Sequence, residues 1–206
     1  FMASQDVETD PSLDTIADMY RAIARDSGLQ TSIQLTGGEP TIRPDLPEIV
    51  DLGREVGFSA IEINTNGLAL ARSPELLNKL VQAGLTGVYL QFDGLKDEVY
   101  RQIRNADLLD EKLRAIENCR AAGMQVVLAM TIIDGINTDQ IGPTLSFALD
   151  NLDVVVGLAL QPAFTSGRFE VGDRRRIGMG DVVFLLAEQS GGLIKPTDLW
   201  PLGCSH

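Results

Sequence analysis

Short apolar runs alternate along the chain with segments in which apolar residues recur every three or four positions. After Asp10-Pro11-Ser12, the residues Ile16, Met19, Tyr20 and Ile23 keep helical spacing. Residues 32–36 then read as a short strand closed by Gly37-Gly38, and residues 44–56 as a helix whose apolar face is Leu46, Ile49, Val50 and Leu52. A strand at 60–64 runs into the turn Asn66-Gly67. Ser73 and Pro74 supply an N-cap and a first helical position, and Gly84 a stop. The next strand, 88–92, is closed by Asp93-Gly94. A helix at 108–122 carries Leu109, Leu113, Ile116 and Cys119 on one side, and Gly123 follows it. Strands at 125–133 and 154–161 enclose a helix at 138–150, and a final helix is expected at 181–189 in an otherwise loop-rich stretch.

Five strands separated by helices imply parallel pairing, because each crossover needs a dozen or more residues. The runs Val126-Val127-Leu128-Ala129-Met130 and Val154-Val155-Val156 suit strands covered on both faces. An α/β fold follows. Both an open doubly wound sheet and an incomplete (β/α) barrel of the TIM type satisfy the pattern, and periodicity alone does not separate them. No linker divides the chain, so residues 1–165 are expected to form the core and residues 166–206 a loop-rich extension of the same domain, with one helix.

Charge narrows the partners. The net charge of −12 repels phosphate backbones, and the one basic run, Arg174-Arg175-Arg176, is short enough to be a solvated loop. Nucleic acid is not expected, and no apolar run is long enough to cross a bilayer as a helix. Two cysteines, Cys119 and Cys204, make no disulfide framework and favour a reducing, cytoplasmic setting. Cys119 sits on an apolar helix face, where a buried thiol is expected. The single histidine, His206, removes Ser-His-Asp and histidine-rich zinc chemistry from consideration.

Polar residues gather where strands end: Thr36-Gly37-Gly38-Glu39-Pro40, Asn64-Thr65-Asn66-Gly67, Gln91-Phe92-Asp93-Gly94, Thr131 and Gln161-Pro162. In a parallel sheet or barrel these positions converge on one face, where loops build active sites. Taken singly, Asn-Gly and Asp-Gly are ordinary turns and Thr131 is at home in a strand. As a set they resemble the radical S-adenosylmethionine (SAM) superfamily, with Gly37-Gly38-Glu39-Pro40 matching its GGEP motif and the next two strand ends matching its TNG and DG segments. The resemblance runs from about residue 12 to 165 and implies a partial barrel with a SAM-binding core.

In that family the GGEP backbone and glutamate hold the methionyl ammonium of SAM. The resemblance therefore assigns this role to Gly37, Gly38 and Glu39, with Thr36 and Pro40 beside them as cofactor-binding residues. By strand-end position it offers Asn64, Gln91 and Thr131 for the carboxylate and ribose and Gln161 for the adenine side, with Asn66 and Asp93 as further cofactor-binding residues. It also implies a [4Fe–4S] cluster held by a CxxxCxxC loop. That loop is absent here and expected upstream of Phe1, which marks the chain as a fragment, inert by itself. A flavodoxin or ferredoxin is the implied reductant, and the substrate (small molecule, lipid or peptide) stays open. Tyr89-Leu90-Gln91-Phe92-Asp93-Gly94-Leu95, Ala115-Ile116-Glu117-Asn118-Cys119-Arg120 and Gly192-Leu193-Ile194-Lys195 resemble the tetraether lipid synthase-like and methylase-like branch, in which Cys204 would begin an additional cluster site. Two rival readings are a non-catalytic SAM- or nucleotide-binding module, and a cofactor-free barrel enzyme with Glu39 and Asp93 as acid and base.

Overall fold

The computed structural model describes residues 10–163 and 175–199. Ser12 opens helix α1 (Leu13–Ser27) by accepting a hydrogen bond from Thr15 N. Strand β1 (Ile33–Leu35) leads through a single 3-10 turn (Pro40–Ile42) to α2 (Leu46–Val56) and then β2 (Ile61–Thr65). Helices α3 (Leu68–Arg72) and α4 (Pro74–Ala83) precede β3 (Gly87–Gln91), and α5 (Asp97–Arg104) and α6 (Leu109–Ala121) precede β4 (Gln125–Ile132). A 3-10 turn (Thr138–Gln140) feeds α7 (Ile141–Asp150), followed by β5 (Val155–Pro162) and α8 (Met179–Gln189).

The five strands form one parallel sheet in the order β1-β2-β3-β4-β5. This order decides between the two architectures. A doubly wound sheet must reverse its strand order to place helices on both faces. Here each strand lies beside its predecessor, always in the same direction, so right-handed crossovers put every helix on one face. Accordingly α1, α2, α4 and α6 pack on one another in sequence. The result is an arc of a (β/α) barrel with a concave inner face.

Burial follows the arc. Residues Ile61, Ile63, Val88, Leu90, Val126 and Leu128 point to the helix layer and meet Val50, Leu77, Leu80, Ile116 and Cys119 in the main core. A smaller core of Met130, Ile132, Ile141, Val182 and Leu186 holds α8 against α7 and β5. The strands are not covered equally on both faces, as their apolar runs suggested. In β4, buried residues alternate with half-buried Val127, Ala129 and Thr131, which face the concavity.

Three helical details depart from the sequence pattern. Helix α3 is five residues long and α5 only eight, with Val99 and Tyr100 as its buried residues, so both are too short to stand out in the pattern. The helix expected from 138 begins as a 3-10 turn and becomes α-helical at Ile141, which leaves Pro143 in the first turn, where its missing N–H costs nothing. Helix α8 starts at Met179 because Asp181 reaches back to cap the Gly178 N–H. Of the basic run, Arg175 pairs with Asp181 and Arg174 lies outside the described residues.

Candidate functional site

At the C-terminal ends of the strands lies a cleft of about 530 Å³. Its lining includes Thr36, Gly37, Gly38 and Glu39 after β1, Asn64 and Asn66 at the end of β2, Gln91 of β3, Thr131 of β4 and Gln161 of β5. All five polar strand ends therefore meet in one place. Leu68, Ala106, Leu108 and Ala129 supply an apolar flank.

Glu39 does its first work inside the protein. Its Oε1 accepts hydrogen bonds from Thr41 N (3.1 Å), Thr41 Oγ1 (2.5 Å) and Thr65 Oγ1 (2.6 Å), and its Oε2 from Asn66 N (2.7 Å). One carboxylate thus stitches the β1 loop to the end of β2. A carboxylate offers about four acceptor positions, two per oxygen, so Oε1 is saturated and Oε2 keeps one place open. Pro40 does not line the cleft; it starts the 3-10 turn that Glu39 caps.

The β2 turn is held from several sides. Asn66 Oδ1 accepts from Leu68 N, and Thr65 Oγ1 accepts from Gly67 N. Gly67 has φ +78, and a Cβ there would sit 2.3 Å from Leu90 Cδ1, so the turn admits glycine alone. From below, Lys112 Nζ donates to Asn66 O at 2.6 Å.

Asp93 is not in the cleft at all. It is fully buried, with Oδ2 receiving Arg104 Nε (3.1 Å) and Nη2 (3.0 Å), and Oδ1 receiving Thr131 N (3.2 Å). Buried Asn137 adds a second stitch, donating from Nδ2 to the carbonyls of Asp93 (2.9 Å) and Thr131 (2.8 Å). What this apparatus presents to the cleft is Arg104, whose side chain is 26% exposed. With the Gln91 amide oxygen turned toward it, Gln91 accepts from Arg104 Nη2 at 2.5 Å and Nη1 at 3.2 Å.

Arg104 and Lys112 had no place in the sequence pattern. Arg104 stands at the end of the eight-residue helix α5 and is identified only by the partner it meets. Lys112 did leave a sign: it lies three residues after Leu109 and four before Ile116, on the stripe that should be apolar.

Cys119 is fully buried, and burial pushes its thiol up to about 12, so it is inert packing. Cys204 lies outside the described residues, among which no cluster of metal-ligating side chains occurs. The acid–base pairing of Glu39 with Asp93 also fails, because Asp93 is sealed in an ion pair and Glu39 is engaged by four donors.

Comparison with known proteins gives this arrangement a context. Residues 3–148 match the radical SAM superfamily. Over 196 residues, 94% of the chain, the sequence is 37% identical to a 7,8-dihydro-6-hydroxymethylpterin dimethyltransferase of Methanocaldococcus jannaschii. It is 40% identical over 126 residues, 61% of the chain, to a probable GTP 3′,8-cyclase of Methanothermobacter marburgensis. The chain spans 38% and 40% of these two relatives. Among solved structures, "Native anSMEcpe with bound AdoMet and Kp18Cys peptide" superposes with a TM-score of 0.66 over 95% of this chain and 57% of that one, at 12% identity. A domain of pyruvate-formate lyase-activating enzyme from Bacteroides vulgatus gives 0.60 over 77% and 94%, at 13% identity.

Proposed function

Because the chain belongs to the radical SAM superfamily, we propose that the cleft at its strand ends is the seat of SAM, and that the whole protein uses it for radical chemistry on a small heterocyclic substrate. Arg104 carries this reading. Among the described residues it is the one cation lining the cleft, and Asp93 and Gln91 grip it so that part of its guanidinium stays exposed. A planar fork fixed in that way suits a carboxylate.

The remaining donors and acceptors complement an amino acid with a nucleoside attached. The exposed backbone at Gly37 and Gly38 lets an ammonium approach closely, and the open position on Glu39 Oε2 receives it. Asn64, Asn66 and Thr131 offer amide and hydroxyl groups to carboxylate and ribose, and Gln161 to the adenine side, with Leu68, Leu108 and Ala129 as the apolar wall. Held here beside a reduced [4Fe–4S] cluster supplied from outside this cleft, SAM would be the source of radical chemistry. The chain's own residues hold, orient and shield it.

The cluster does not fit these residues. The 206 residues contain two cysteines, one of them buried Cys119, so the three thiolates come from elsewhere in the protein. The chain alone then binds SAM without cleaving it. No described helix is long and apolar enough to cross a membrane, and we place the protein in the cytoplasm with a flavodoxin or ferredoxin as electron donor. The pterin- and GTP-directed relatives support a fused nitrogen heterocycle as substrate, and the dimethyltransferase supports methylation as the outcome.

Isothermal titration of the 206-residue chain with SAM tests the site. Wild type should bind and leave SAM intact. Arg104→Lys, which keeps the charge and loses the fork, should bind roughly tenfold more weakly, or about 1.4 kcal/mol. A wild-type chain that is folded and binds no SAM refutes the proposal.

A further inference from the structure

Lys112 is the one buried charge of this region that the binding scheme leaves unused. It projects from α6 into the protein beneath the cleft, where its side chain is fully buried. Burying an ammonium is costly, and a helix stripe otherwise made of Ala115, Ile116 and Cys119 has no packing need for it. Among the described residues its one hydrogen bond goes to Asn66 O, at 2.6 Å. Its Nζ also stands 5.9 Å from the centre of the Tyr100 ring, and the Tyr100 hydroxyl donates to Gly94 O at 2.9 Å. One side chain therefore braces the β2 turn directly and the β3 turn through Tyr100.

The Asn66 contact is the informative one. Glu39 takes the N–H of Asn66 from the cleft side, and Lys112 takes its C=O from below. The residue is pinned between opposite charges, and both bonds are of the strong, charge-assisted kind. Its side-chain oxygen is committed to Leu68 N, and among the described residues no partner takes Nδ2, so the amide N–H groups remain for a ligand in the cleft that Asn66 lines.

We propose that Lys112 is a positioning residue for the SAM cleft: by holding the Asn66 carbonyl from beneath, its ammonium keeps the Asn66 amide set for ligand binding, so that SAM affinity follows the protonation of a lysine that never touches SAM. This rests on the assignment of the cleft to SAM. The charges facing Lys112 are Asp93 from the end of β3, Glu39 from the end of β1, Arg104 from α5 and Glu111 on its own helix, with Tyr100 across from it. Burial lowers the ammonium to about 8, with Asp93 and Glu39 opposing that fall and Arg104 adding to it. The brace is thus charge-assisted near neutrality and is reduced above it to the weaker bond of a neutral amine.

Stability must respond with the opposite sign. The folded value of about 8 lies below the ordinary 10.5, so the unfolded chain holds the proton more tightly. SAM-free protein gains stability as pH rises from about 8 towards 10.5 and lacks that gain below about 8. Affinity falls across the range in which stability increases, a pairing that general alkaline damage does not produce.

The test measures SAM affinity by equilibrium dialysis on the whole, cluster-loaded protein for wild type, Lys112→Met and Lys112→Arg, from about pH 6.5 to about 9.5. SAM's own α-amino group also titrates there, which makes the difference between profiles the quantity to read. Wild type should bind about tenfold more tightly than Lys112→Met at neutral pH, an ordinary magnitude for one charge-assisted bond, and the gap should narrow as pH rises. Parallel profiles for wild type and Lys112→Met, with melting showing both folded, overturn the inference and leave the cleft assignment standing. If Lys112→Met does not fold, Lys112→Arg decides: it stays charged, so a wild-type profile no steeper than its own overturns the inference. Failure of wild type to bind SAM at any pH instead overturns the cleft assignment.

Discussion

The β1–β2 end of the cleft displays backbone, and the β3–β4 end displays charge. At the first, Gly37 and Gly38 are exposed and the supporting carboxylate, Glu39, lies only partly covered between two loops. At the second, Asp93 and Asn137 are entirely buried, and what emerges from them is a single arginine. A surface made of peptide groups recognises a ligand by letting it come close. An arginine recognises it by opposite charge and must be held still to do so. The two ends therefore need different supports: a light brace that leaves the backbone open, and a sealed ion pair that the fold cannot release.

Asp93→Ala tests the sealed end and should have the largest effect. It removes the partner of a guanidinium that is three-quarters covered and leaves the Thr131 N–H without its acceptor. Breaking a buried pair from one side costs about 3 kcal/mol, at the low end of its range because Arg104 keeps some contact with water. Thermal unfolding should register the loss, and SAM affinity should fall with it because Arg104 is no longer aimed. A folded variant with wild-type melting would show that the ion pair supports nothing.

Glu39→Ala breaks the lighter brace. Four hydrogen bonds vanish, but the residue is only half-buried, so water can answer part of the demand and the expected cost is roughly 2 kcal/mol. The comparison sharpens if both variants are measured by denaturant titration. Equal losses would mean that the two ends are supported alike, contrary to their burial.

The difference in burial also explains what could be read without a structure. Glu39, its glycines and its partner Thr41 stand in one contiguous stretch, and its other partners, Thr65 and Asn66, belong to the next strand end, itself marked by a turn dipeptide. The strand ends were legible because the alternation of strands and helices brings them to one face in either architecture. The sealed end was not. Its partners, Asp93, Arg104, Thr131 and Asn137, are spread over 45 positions, counting both ends from 93 to 137, and only the folded sheet joins them. Asp93 was consequently assigned to the ligand when its bonds are all internal, and Arg104 was passed over. The choice of barrel over doubly wound sheet was hidden for the same cause: strand order is a property of the assembled sheet, and the chain's periodicity is identical in both.

The smallest expected effect separates display from support most cleanly. Gly38 faces the cleft, has no positive φ, and a Cβ built on it meets no atom within 4 Å. Gly38→Ala should therefore leave stability within about 0.5 kcal/mol of wild type, as surface substitutions free of strain or clash generally do. SAM affinity should nevertheless fall, because the methyl group occupies space into which a ligand's ammonium must come to reach the peptide backbone. Matched melting curves and a titration with SAM give both numbers from one preparation. If melting and affinity are both unchanged, the glycine is an ordinary turn residue and the exposed backbone has no ligand to meet. If melting drops, the Gly38 loop is under constraint and the β1–β2 end is less open than its geometry shows. Only unchanged stability with weakened binding is consistent with a surface that is light in support because it is built to be approached.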